Sequence, residues 1–215
     1  MPNSNKSYIF VLIISLVIVL GLIYAFQSYE PKENTSYDND LISVTDKSYY
    51  NKLYRFRISV PTTDWTITYY GDIDSLKPEQ TELGILNNIN LMVKFERTHQ
   101  DSLLAFVDVG IIDLIQPEVP HLLAKQCLDE MKSTYTDSNQ KPAIIKNVTQ
   151  VSSGSLHGAY FVVDLPGSNY PYPRWIVTFV IKDYYAYSII CQVSKEEYAF
   201  FREDFETIIA SFNFI

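Results

Sequence analysis

The stretch Arg174 to Lys182 reads RWIVTFVIK. At the two-residue period of a strand, Trp175, Val177, Phe179 and Ile181 take one face, and Ile176 and Val180 the other. A strand that is apolar on both faces must be covered on both sides. The next apolar run, YAYSIICQV, follows after a short connection around Asp183-Tyr184, which predicts a hairpin. The rest of the chain must therefore supply cover for both faces of that hairpin.

Two helices can supply it. Ser194-Lys195-Glu196-Glu197 has the pattern of a capping box, in which Ser194 caps the Glu197 N–H and Glu197 reaches back. Behind it, Tyr198, Phe201, Phe205, Ile208, Ile209 and Phe212 form an apolar stripe. A second helix is expected over Pro117 to Tyr135, started by a proline whose missing N–H costs nothing at a first helical position. There Val119, Leu123, Cys127, Met131 and Tyr135 recur every four residues, with Leu122 and Leu128 alongside.

The other segments read as strands. In NKLYRFRISVPTTDW (Asn51 to Trp65), Tyr54, Phe56, Ile58 and Val60 alternate with Arg55, Arg57 and Ser59, and Pro61 ends the run. This predicts the first strand of the domain, with its arginines in solvent. WTITYY, INLMVKFE, LLAFVDVGII, AIIKNVTQV and GAYFVVDL follow. The expected fold class is α+β, an antiparallel β-sheet flanked by helices on both faces in an α/β/α sandwich. No internal repeat is evident.

Tyr8 to Phe26 form a different kind of segment, nineteen residues without a charge. At about 1.5 Å per residue a helix of that length spans roughly 28 Å, close to the hydrocarbon core of a bilayer. The alternative is a cleaved signal peptide, whose apolar region is shorter and ends in a small-x-small site; here Ile23 precedes Ala25. The expected organisation is a tail at 1–7, a transmembrane anchor at 8–26, a flexible polar tether at 27–49 and a globular domain at 50–215. The partner implied for 8–26 is the lipid bilayer. Lys6 before the span and Lys32 after it nearly balance, and the short N-terminal tail places the domain outside the cytoplasm, at the cell membrane.

A net charge of −8 disfavours nucleic acid as a partner. The three histidines, His99, His121 and His157, are not at metal-ligand spacing from one another, so no metal or cofactor is expected. Gly154-Ser155-Leu156-His157-Gly158 resembles a nucleophile elbow, but its serine is second rather than third, and a hairpin turn using two glycines explains it better. No catalytic residue is assigned. Cys127 and Cys191 both point at a core; they read either as a disulfide closing a loop of about 64 residues or as two buried thiols. Asp108 and Asp164 interrupt apolar strands and need either a cationic partner or a solvated edge. The loop GSNYPYPRW gathers Tyr170, Tyr172 and Arg174, residue types enriched at binding hot spots, which makes them the candidate partner-binding residues. The competing reading is a proline-stiffened turn with Trp175 buried behind it.

YRFRISVPTTDW, GSLHGAYFVVD and YYAYSIICQVSKEEYAFFREDFETIIASF, with their spacing, resemble the PsbP-like family, which also covers bacterial DcrB-like domains. The resemblance spans roughly Tyr50 to Ile215. It implies an antiparallel sheet between helices and a non-enzymatic role, because members are known as adaptor or assembly proteins such as the photosystem II extrinsic subunit. The chain departs from that subunit in having an anchor where a plastid import peptide stands, and it shows no counterpart of the cofactor-retaining N-terminal segment. No ion-binding residues carry over. The function expected is that of a membrane-anchored, non-catalytic envelope domain that binds or stabilises a protein partner. The alternatives are an envelope hydrolase or transferase with scattered site residues, and a small-ligand or metal carrier.

Overall fold

A computed structural model describes residues 41–70, 84–99, 102–134, 141–153, 156–166 and 171–215. The anchor expected at 8–26, most of the tether, Tyr170, Gly154 and Ser155 lie outside the described residues. Among the described residues no helix is long and apolar enough to cross a membrane.

Among the described residues, eleven strands and three helices follow in chain order. They are β1 (Ile42–Val44), β2 (Ser48–Asn51), β3 (Phe56–Ser59), β4 (Trp65–Tyr69), α1 (Gly84–Asn87), β5 (Asn90–His99) and β6 (Ser102–Asp113). Then come α2 (Pro120–Thr134), β7 (Ala143–Ser153), β8 (Leu156–Asp164), β9 (Arg174–Lys182), β10 (Tyr185–Val193), α3 (Tyr198–Ser211) and β11 (Asn213–Phe214). Seven strands form one sheet in the order β4-β5-β6-β10-β9-β8-β7, and four form a second, β1-β2-β3-β11. Every pairing is antiparallel.

The large sheet is covered on both faces, as RWIVTFVIK requires. On one face Val177 and Phe179 of β9 pack with Ala124, Cys127, Leu128 and Met131 of α2. On the other, Ile176 and Val180 join Phe201, Phe205 and Ile208 of α3. The second cover is broader than a helix alone. The small sheet sends Tyr49, Phe56 and Ile58 into the same core as α3. Phe56 stacks on Phe212 and meets Tyr187 of β10 edge-on, at centroid distances of 5.5 Å each. The Tyr187 hydroxyl donates to the Tyr54 carbonyl at 2.8 Å, which ties the two sheets together.

Several local expectations change. Residues 42–44 and 48–49, assigned to the tether, belong to β1 and β2, so the folded domain begins before residue 50 and β3 is its third strand. Tyr54 and Arg55 sit in a turn rather than in β3, and Arg55 takes a left-handed φ of 54°. Asn51 builds that turn: its amide donates to Tyr49 Oη at 2.9 Å and its carbonyl oxygen accepts from the Tyr54 N–H at 3.0 Å. Phe56, Ile58 and Val60 are buried while Arg55 and Arg57 are exposed, as the alternation demands. Pro120, not Pro117, opens α2, and Val119 stays in solvent. The expected capping box does not form: Glu197, not Ser194, is the N-cap of α3, and its side chain makes no cap bond. In the turn ahead of the helix the Ser194 hydroxyl accepts from the Glu197 N–H at 3.2 Å and donates to the Glu197 carboxylate at 3.0 Å. Gly158 lies inside β8 rather than in a turn. A Cβ there would come within 2.5 Å of the Phe179 carbonyl oxygen, so close strand approach demands glycine.

Candidate functional site

The pairing of β7 with β8 shifts register between Ile144 and Lys146 and again between Lys146 and Thr149. Such irregularities bend a strand and re-aim its side chains. Between this bent edge and α3 lies a cavity of about 520 Å³. Its walls are mainly apolar: Ile145, Val151, Val162, Ile176, Phe205 and Ile209. Lys146, Arg202 and Glu206, all exposed, mark the opening, with Tyr160 and Tyr198 beside them. Arg202 Nε donates to Glu206 Oε1 at 2.8 Å, and the Lys146 ammonium lies against the Tyr160 ring and hydroxyl.

One wall residue is out of keeping with the rest. Thr178 is fully buried in β9, and no described group bonds its hydroxyl. A buried hydroxyl without a partner costs on the order of 1–3 kcal/mol. The sequence carried a signal for it, a lone hydroxyl inside RWIVTFVIK, but that signal does not say what the hydroxyl faces. The cavity could not be read from the sequence at all, because its walls come from β7, β8, β9 and α3.

The other candidates are dispersed and mostly closed upon neighbours. Arg174 holds Asp164 in a two-pronged pair, Nε to Oδ1 at 2.7 Å and Nη2 to Oδ2 at 2.9 Å, and its guanidinium stacks over Tyr198 at 4.8 Å. The bond to Asp164 raises the Arg174 pKa further. Tyr172 donates its hydroxyl to the Leu103 carbonyl at 2.7 Å and sets its ring edge-on to Phe106. Trp175 Nε1 donates to the Tyr172 carbonyl at 3.1 Å, so this loop is braced by its own aromatic residues.

Cys127 and Cys191 lie in different cores, on opposite faces of the large sheet, as free buried thiols. The disulfide reading is thereby corrected: the sheet stands between them. Burial pushes the Cys127 thiol up to about 12 and that of Cys191 upward as well, away from the thiolate a nucleophile needs.

Asp108 faces Lys94 across the β5–β6 ladder. Its Oδ2 accepts from Gln192 Nε2 at 3.2 Å, while its buried Oδ1 has no partner. Burial lifts its pKa to about 6, against the opposing pull of Lys94. His157 Nδ1 meets Ser152 Oγ at 3.2 Å on the surface, and His121 has a buried Nδ1 without a bond. Among the described residues no group of three or more His, Cys, Asp or Glu is placed to hold a metal ion.

A seven-stranded antiparallel sheet between helices, with a small second sheet on one face, is a PsbP-type fold. The chain is similar to the solution structure of cyanobacterial PsbP (CyanoP) from Synechocystis sp. PCC 6803, with 11% identity, 86% of this chain and 100% of that one covered, and a TM-score of 0.54. A crystal structure from Bacteroides thetaiotaomicron VPI-5482 is more loosely similar, at 14% identity and a TM-score of 0.44, over 79% of this chain and 48% of that one. No family model matches the chain, and no curated protein matches it.

Proposed function

We propose that this chain is a non-catalytic binding domain, held at a membrane of the cell envelope by residues 8–26 and facing away from the cytoplasm, that binds or stabilises a protein partner. The observation that carries this reading is how the conspicuous side chains are used. Arg174 closes on Asp164, Tyr172 on Leu103 and Trp65 Nε1 on Asp204 at 3.1 Å, whereas Ile115, Val119 and Leu122 before and within the first turn of α2 stand in solvent. Polar groups paired internally hold a shape, while large apolar side chains exposed in one short stretch are what a partner covers. The uncharged run at 8–26 supports the anchor by its length. The PsbP-type fold is in keeping with the non-enzymatic role that the sequence resemblance implies.

The test is cross-linking of the full-length protein in its native membrane, then purification in mild detergent and mass spectrometry. A recurrent, stoichiometric partner is expected, and it is lost when Ile115→Asp and Leu122→Asp are combined, with thermal melting unchanged. A partner that survives this double variant but is lost on Tyr172→Ala moves the surface to the aromatic loop. No recurrent partner of the wild-type chain overturns the reading. The cavity under α3 favours a second reading, a small-ligand carrier.

A further inference from the structure

One end of the domain gathers exposed apolar and basic side chains around Leu41, where the chain enters the fold. The Lys52 N–H donates to the Leu41 carbonyl at 2.7 Å, which sets the entry beside the turn at 52–55. Tyr54 of that turn meets the Tyr185 ring edge-on at 5.5 Å, which brings the tip of the β9–β10 hairpin alongside. Leu41, Leu53 and Tyr184 are 47%, 56% and 57% exposed. Large apolar side chains grouped in solvent mark a surface that something covers.

Charge indicates what covers it. The chain carries −8 in all, yet residues 48–63 hold Lys52, Arg55 and Arg57 and no Asp or Glu. These three cations are exposed, and among the described residues no carboxylate pairs with them. Arg55 also sits at φ 54°, where glycine or asparagine is favoured, so a cation stands where the turn alone selects another residue. The bordering acids are Asp113 and Asp183 at the hairpin side and Asp40 before Leu41 in the sequence. Residues 27–40 can reach at most roughly 50 Å from the uncharged run at 8–26.

We propose that this end of the domain docks on an anionic bilayer surface, the one that residues 8–26 span. Leu41, Leu53 and Tyr184 enter the interfacial layer, and Lys52, Arg55 and Arg57 meet the headgroups. The docking rests on the anchored reading of 8–26. Tyrosine suits that layer because its ring is apolar and its hydroxyl stays wet. Each cation near an anionic surface raises association about fivefold. The anchor makes the contact intramolecular, so its effective concentration is high and a weak contact suffices. The Leu114 N–H donates to the Tyr184 carbonyl at 2.8 Å, so a partner bound at Ile115 would also lie close to the membrane.

The experiment uses the full-length chain in vesicles of phosphatidylcholine and phosphatidylglycerol. An environment-sensitive fluorophore is attached at Leu53→Cys, at Tyr184→Cys or, beyond the other end of β3, at Thr63→Cys; the native thiols are buried. Spin-labelled lipid chains quench a fluorophore that reaches them. Quenching at Leu53→Cys and Tyr184→Cys is expected to exceed that at Thr63→Cys at least several-fold. Lys52→Glu with Arg55→Glu, or pure phosphatidylcholine, cuts it several-fold with melting unchanged. Equal quenching at the three positions overturns the docking. Quenching that ignores both the charge reversal and the lipid charge overturns the headgroup contact. A photo-cross-linker at Leu53→Cys that captures protein rather than lipid in native membranes overturns the bilayer as the occupant. Flotation that resists alkaline carbonate reports the anchor separately. A chain that floats without quenching loses only the docking, and one that does not float loses both readings.

Discussion

Asp108 and Asp164 are both acids inside apolar strands, and their surroundings give them opposite behaviour. Asp164 is 7% exposed and gripped by Arg174, with Lys195 Nζ at 3.6 Å from its Oδ2. Removing Arg174 leaves the buried charge only the half-exposed Lys195, so Arg174→Ala is expected to cost up to about 3–5 kcal/mol, read as a lower urea midpoint. Asp108 has Lys94 and Glu96 on the facing strand and keeps one oxygen unbonded. Its folded pKa of about 6 lies above the unfolded value of about 4. The folded state therefore holds the proton more tightly. The stability this group contributes is complete below pH about 4 and is lost as the pH rises through about 6. Asp108→Asn should remove that part of the slope in a series of urea melts between those pH values. An unchanged slope would show that the carboxyl titrates alike in both states. The sequence identified both residues as needing an explanation, but which one had the cation depended on neighbours ten residues away for Asp164 and on other strands for Asp108.

Elements are where the sequence was most readable. The faces of β9 came from its own alternation, and the stripe of α3 from its own 3.6-residue period, because both patterns repeat within one segment. The boundaries were less legible. Each of Pro117 and Pro120 is chemically fit to open α2, and only the docking of Leu123, Ala124 and Cys127 onto the sheet selects the second. β1 and β2 are three and four residues long, too short to show a period against a polar background; β2 exists because β3 is there to pair with, and β1 because β2 is. The turn that leads into α3 gives a direct check: Ser194→Ala should lower stability by about 1 kcal/mol, because the Glu197 N–H loses its acceptor. Gly158→Ala should cost more than that turn, since the new Cβ meets backbone at 2.5 Å and β8 cannot move without losing its pairing with β9. Chemical denaturation of both variants ranks the two effects, and equal costs would place the strain elsewhere.

At the scale of the molecule, the large sheet is a partition. It separates the α2 core from the core shared by α3 and the small sheet, and puts one cysteine in each. Native protein should therefore resist alkylation by iodoacetamide until denaturant is added, and a reductant should leave its melting temperature unchanged. A melting temperature that falls under reductant would mean that the thiols meet. The cavity lies at the β7 side, between α3 and outer strands bent by their register shifts.

By itself the sequence determined the two-sided apolar hairpin, the helices able to cover it and the class of fold, since each is written as a local period that burial must satisfy. It also marked the uncharged run at 8–26 and the acidic balance of the chain. Only the tertiary structure decided that the cysteines stand apart, that Arg174 belongs to Asp164, that a second sheet shares the cover, and that Thr178 forms part of a cavity wall. Each of these is a relation between different elements of the chain. Such relations follow from how whole elements pack, and no period within a single element encodes them.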